Sequence, residues 1–190
     1  MEHPILFSSE MVRAILDGRK TQMRRVIKPQ PFFSTIWENG YQTDYCEVEW
    51  DNKRYNDDCG EIEDYCPYGK PGDTLWVRES FSMADRGTLV FSYRATEEHP
   101  QHYKYRPSIH MPRWASRLTL EIVSVRVERV QSISDDDALA EGVDRTNARI
   151  VGCPKERFHR LWDSINGKRN GDAYAWDKNP YVWVIEFRRI

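Results

Sequence analysis

Residues 117–130 constrain the fold more than any other stretch of the chain. Apolar residues alternate at Leu118, Leu120 and Ile122, then at Val123, Val125 and Val127, so a two-residue strand period slips by one in the middle. Such a slip exchanges the two faces of a strand. The spacing therefore predicts a β-bulge or sharp bend near Ile122-Val123, the device by which one strand turns the corner of a small barrel. Residues 181–187 are apolar on both faces, which predicts a central strand despite its terminal position.

The other elements are short and mixed. Residues 5–7 read as a strand, and Ser8 or Ser9 caps a helix with Met11, Val12, Ile15 and Leu16 on one face and Gly18 as its stop. Residues 20–27 follow as an extended segment. Lys70-Pro71-Gly72-Asp73 is a turn by composition, leading into a strand at 74–79 with 88–95 as its neighbour. Ser134 and the carboxylates Asp135, Asp136 and Asp137 open a short helix that ends at Gly142, with Glu141 in its last turn. Pro154 opens another, whose Phe158, Leu161, Trp162 and Ile165 form a core-facing stripe before Gly167. Strands at both ends, antiparallel-type connections and few helices predict an α+β fold around a small closed or nearly closed barrel.

The formal charge of -2 hides a segregation along the chain. Residues 1–30 carry six basic and three acidic side chains, whereas 31–68 carry ten acidic ones against Lys53 and Arg54. That acidic block has no sustained period of 2 or 3.6, so it reads as an insertion at about 35–64, with a hairpin signal at Asn39-Gly40. The 190 residues otherwise fit one domain. An apolar share of 39% against the usual ~45–50% implies a modest core, while seven Trp, ten Tyr and seven Phe argue against disorder. The net charge excludes a polycation that grips nucleic acid by bulk charge. No apolar run approaches the ~20 residues of a membrane helix, and the N-terminal residues lack a secretory pattern, so a soluble, cytoplasmic protein is expected. Its four cysteines are expected to remain thiols.

Two segments concentrate chemistry. Gly18-Arg19-Lys20-Thr21-Gln22-Met23-Arg24-Arg25 packs three Arg and one Lys just beyond a helix stop, a density that seeks anions or forms a solvated basic edge. Pro107-Ser108-Ile109-His110-Met111-Pro112-Arg113-Trp114 is a loop stiffened by two prolines. There Arg113 suits a phosphate and Trp114 suits stacking on a base, or else anchors the loop to the core. Metal chemistry has little support. Cys46, Cys59 and Cys66 fall close together without a C-x-x-C pair, Cys153 or a His would have to complete the set, and the five His form no HExxH motif. No cofactor is expected.

The ordered set GRKTQMRR, CPYGKPGDTLWVRESF, PSIHMPRWASRLTLEI, ISDDDALAEGV and NPYVWVIEF resembles the ASCH domain family of the PUA-like superfamily, in the longer form often encoded by phages and prophages. The resemblance covers most of the chain, apart from about 35–64 and 144–175. It implies a PUA-like small β-barrel with flanking short helices and a cleft that receives RNA or a nucleoside. One compact branch of the family hydrolyses the amide of N4-acetylcytidine, and another member has been described as a ribonuclease. By motif, the branch's catalytic Lys and Glu fall on Lys20 and Glu141, its Arg falls on Arg25, and its Thr position falls on Met23.

That departure ranks the readings. A thioether cannot attack a carbonyl as a hydroxyl does, and Thr21, two residues upstream, is displaced by roughly 6–7 Å along an extended strand. Recognition of RNA or a modified nucleotide therefore stands first, with Arg24, Arg25, His110, Arg113 and Trp114 as ligand contacts. Hydrolysis by Lys20 and Glu141, with Thr21 or a water supplying the nucleophile, stands second. A phage accessory protein that binds a host protein through its acidic face is the third reading.

Overall fold

The structure, a computed structural model, describes residues 1–38, 41–50, 53–55, 62–83, 91–98, 101, 104–143 and 152–190. Its centre is an antiparallel pair, β9 (Thr119–Arg129) and β10 (Tyr181–Arg189). With β1 (Glu2–Leu6), β2 (Gln22–Val26) and β6 (Thr74–Arg78) they make one five-stranded sheet, in the order β1-β6-β9-β10-β2. Within it β10 is interior, as its two apolar faces require. Trp183, Ile185 and Phe187 enter one core with Val12, Ile15 and Leu75, whereas Val182 and Val184 enter a second with Phe158, Trp162 and Trp176.

The slip in β9 is a bulge at Val123. Glu186 sits opposite Ser124 and Phe187 opposite Ile122, which leaves Val123 without a partner on β10 and 51% exposed. One extra residue restores the phase, so Leu120 and Ile122 before it and Val125 and Val127 after it all pack on the same core. The β6 ladder runs along β9 only as far as Glu121.

Three expectations need correction. The sheet ends at β1 and β2, and among the described residues no ladder joins those edges, so the sheet is open and not a closed barrel. A side chain spans the gap where a ladder would run, with Arg25 Nη2 donating to the Leu6 carbonyl at 2.8 Å. The first strand pairs parallel with β6, not antiparallel. Parallel pairing needs a long crossover, and the chain between the two strands supplies it. Finally, β8 (Phe91–Tyr93) is not the neighbour of β6. It pairs with β7 (Phe81–Met83), because both edges of β6 are already taken by β1 and β9.

The acidic block holds strands that its irregular pattern did not reveal. Chain-ordered β3 (Phe32–Glu38), β4 (Tyr41–Trp50) and β5 (Lys53–Tyr55) form an antiparallel sheet that shares no strand with the main one. Glu38 pairs with Tyr41, so the connection has two residues, and the hairpin signal Asn39-Gly40 itself lies outside the described residues.

Among the described residues three α-helices follow their sequence signals. In α1 (Ser9–Leu16) the Ser8 hydroxyl accepts from the Met11 amide at 3.3 Å, and Gly18 leaves at φ +71°. In α2 (Asp135–Ala140) the Ser134 hydroxyl accepts from the Asp137 amide at 3.0 Å. The third, α3 (Pro154–Asn166), has Pro in its first turn and buries Phe158 and Trp162.

Candidate functional site

The edge strand β2 and the end of α2 meet through main chain first. Lys20 and Glu141 form an isolated antiparallel bridge, and the Thr21 amide donates to the Ala140 carbonyl at 2.9 Å. Gly142 makes this approach possible. Its φ is +90°, and a Cβ there would lie 3.0 Å from the Ala14 Cβ and 3.1 Å from the Lys20 Cβ.

Side chains then complete the junction. The Lys20 ammonium is 2% exposed and donates to the Gln22 carbonyl at 2.7 Å, the Glu141 carbonyl at 2.8 Å and Glu141 Oε2 at 2.9 Å. An ammonium has three protons, and here each has an acceptor. Burial nonetheless pushes the Lys20 pKa below the ordinary lysine value; the Glu141 charge opposes that shift and the charges of Arg25 and Arg24 add to it.

Arg24 organises the far side of Glu141. Its guanidinium is wholly buried and reaches Glu141 Oε1 at 3.3 Å, Gln22 Oε1 at 2.5 Å, Asp137 Oδ2 at 3.1 Å and Glu128 Oε2 at 3.2 Å. Burial alone would raise the Asp137 carboxyl. The Arg24 charge and hydrogen bonds from Gln22 and Ser134 outweigh it and hold the group below its usual value.

Beside this network lies a cavity of about 540 Å³. Lys20, Met23, Arg24 and Arg25 line one wall, and Phe158, Leu161, Trp162 and Ile165 of α3 line another. Tyr65, Tyr68, Phe7 and Trp183 supply further aromatic surface. Arg25 lies 5.6 Å over the Phe7 ring, and burial lowers its pKa from the ordinary arginine value although Tyr68 and Glu141 oppose the shift. Burial raises the Tyr68 phenol against the opposing charge of Arg25, so it stays a hydroxyl donor.

The structure thus brings Lys20, Arg24, Arg25 and Glu141 to one cavity. Thr21 is exposed and outside the lining, whereas Met23, 2% exposed, forms part of the wall. Thr21 lies one residue before β2, where its amide donates to the Ala140 carbonyl and its carbonyl accepts from the Phe187 amide, and its side chain stays outside the cavity. Nor do His110, Arg113 and Trp114 reach the cavity. Arg113 makes a bidentate pair with Glu2 at 2.9 and 2.7 Å, Trp114 is 62% exposed against Phe91, and His110 is exposed. They form a separate surface.

Sequence reasoning missed the walls from α3, Tyr65, Tyr68 and Arg169. The stripe of α3 gave a signal, but it read as core packing alone. No group of three His, Cys, Asp or Glu among the described residues is placed to hold a metal. Cys66 and Cys153 are free thiols, and burial pushes Cys66 up to about 11. Cys59 and the Cys46 side chain lie outside the described residues. Among the described residues no helix is long and apolar enough to cross a membrane.

These features define a small α+β protein with an aromatic-walled, cation-rich cavity. No family model matches the chain, and no curated protein matches its sequence. It is similar to the crystal structure of protein EF3133 from Enterococcus faecalis V583, described under the family DUF984. The identity is 11%, the TM-score is 0.45, and the alignment covers 100% of this chain and 79% of that one, a likeness too weak to carry an argument.

Proposed function

We propose that the chain is a binding module of the ASCH type, with a PUA-like arrangement of its sheet, whose cavity receives one nucleotide of an RNA or a free modified nucleotide. The observation that carries this reading is the union of aromatic walls with Lys20, Arg24, Arg25 and Glu141 in one cavity. Its volume lies within the roughly 300–1,000 Å³ of small-molecule sites. Aromatic faces stack on a base, arginines attract phosphate, and Glu141 accepts from an exocyclic amino group. The Arg25 contact that draws β1 and β2 together supports the barrel-like part of the proposal.

A hydrolytic reading rests on the buried Lys20–Glu141 pair, 2.9 Å apart in the cavity wall. Two features rank it second. Lys20 has all three protons engaged, which opposes a role as base, and Met23 occupies the wall where the resemblance implies a hydroxyl.

Calorimetric titration with nucleosides, nucleotides and short single-stranded RNA tests the binding reading. Wild type is expected to bind at least one of them, and Leu161→Arg, which fills the cavity, is expected to abolish binding in a folded protein. Absence of binding by wild type to every probe overturns the reading. Incubation with N4-acetylcytidine separates the hydrolytic one. Wild type should release no cytidine, and turnover that disappears in Lys20→Ala would reverse the order.

A further inference from the structure

Not every cation of the cavity is neutralised. Lys20 is matched by Glu141, and Arg24 is matched by Glu141, Asp137 and Glu128. Arg25 and Arg169 also line the cavity, one from β2 and the other from just past α3, yet among the described residues neither makes an ion pair with a carboxylate. Arg25 spends Nη2 on the Leu6 carbonyl, and its buried Nε has no hydrogen-bond partner among the described residues. Arg169 makes one long contact of 3.4 Å to Asn166 Oδ1. The Arg169 charge counts among those that act on Arg25, lowering its pKa, while the Glu141 charge opposes that shift. Tyr68 faces the same space with a hydroxyl.

Two guanidiniums that make no carboxylate ion pair among the described residues, and a phenol, all lining one cavity, describe an anion subsite. Guanidinium donors form a planar fork that matches phosphate oxygens, and an unpaired buried N–H is stabilised most by a charged acceptor. Glu141, already paired with Lys20 and Arg24, suits a neutral hydrogen-bond donor and repels an anion.

We infer that Arg25, Arg169 and Tyr68 form a phosphate subsite, so that the ligand is a phosphorylated nucleotide in preference to a free nucleoside. This rests on the nucleotide-binding reading above but makes a narrower claim. The phosphate sits between the two guanidiniums while the base lies between the aromatic walls, toward Glu141.

Calorimetry with the four common nucleosides, their 5′- and 3′-monophosphates and inorganic phosphate tests the claim. A monophosphate is expected to bind at least roughly tenfold more tightly than its nucleoside. Arg169→Gln, an exposed change that leaves the buried network intact, should erase that preference and leave nucleoside affinity within about twofold, a gap far below one charged contact. Arg25→Lys, which keeps the charge but loses the fork, should reduce the preference in part. Equal binding of nucleoside and monophosphate overturns the phosphate subsite while nucleotide binding stands. Inorganic phosphate binding that is lost in Arg169→Gln, with no nucleoside or nucleotide binding, upholds the subsite and removes the nucleotide reading. Binding of nothing, or a preference that survives Arg169→Gln, overturns the subsite.

Discussion

The two basic clusters that the sequence offers meet opposite fates. Lys20, Arg24 and Arg25 fold inward, where the first two are paired with carboxylates and all three border an aromatic cavity. Arg113, with His110 and Trp114 beside it, stays on the surface and is tied to Glu2. Similar residue types thus give a preorganised pocket in one place and a solvated patch in the other. What separates them is burial: a desolvated charge is costly unless it is paired, whereas an exposed pair contributes little either way.

Glu141→Ala is the strongest way to break the contrast. It strands Lys20 and one arm of Arg24 in the interior, and urea denaturation should show a loss of about 3–5 kcal/mol. A loss no greater than that of an exposed pair would mean the inner cluster is not the rigid half of the comparison.

Acid titration sharpens it at intermediate scale. The Asp137 carboxyl lies below its usual value in the folded chain, so its contribution is present above about pH 4 and is lost as the pH falls through the folded value. Asp137→Asn should flatten the decline of the urea midpoint between roughly pH 5 and 3, where the unfolded chain takes up the proton first. An unchanged profile would remove Asp137 from the network's account of stability.

The smallest effects belong to the outer patch. Arg113→Ala should leave the denaturation midpoint unresolved from wild type, because its pair with Glu2 is bathed in solvent. Trp114→Ala should leave mononucleotide affinity unchanged by calorimetry. A clear loss there would join the patch to the ligand site and dissolve the distinction.

Local signals in the sequence told a good deal. The slip of phase marked the bulge at Val123, and caps at Ser8 and Ser134 with the stop at Gly18 marked helix ends. Two motifs more than a hundred positions apart suggested that Lys20 and Glu141 meet, and they do. Long-range pairing stayed hidden, because the parallel partnership of β1 with β6 leaves no trace in either strand's own pattern. The strands of the acidic block escaped because alternation is brief there, confined to Cys46-Glu47-Val48-Glu49-Trp50, and no period is sustained across the block. Leu161 and Ile165 look like core in a helical stripe, and only the packing shows that they border a void. The exposure of Trp114 was equally unreadable, since a lone Trp at the end of a proline-stiffened loop suits an anchor or a platform.

The Lys20 ammonium takes two of its three acceptors from peptide carbonyls, those of Gln22 and Glu141 itself. The pair is consequently directional. Exchanging the partners, Lys20→Glu with Glu141→Lys, would preserve net charge yet turn a carboxylate toward oxygens that can only repel it. The sign of the electric field at that end of the molecule is written into its main chain.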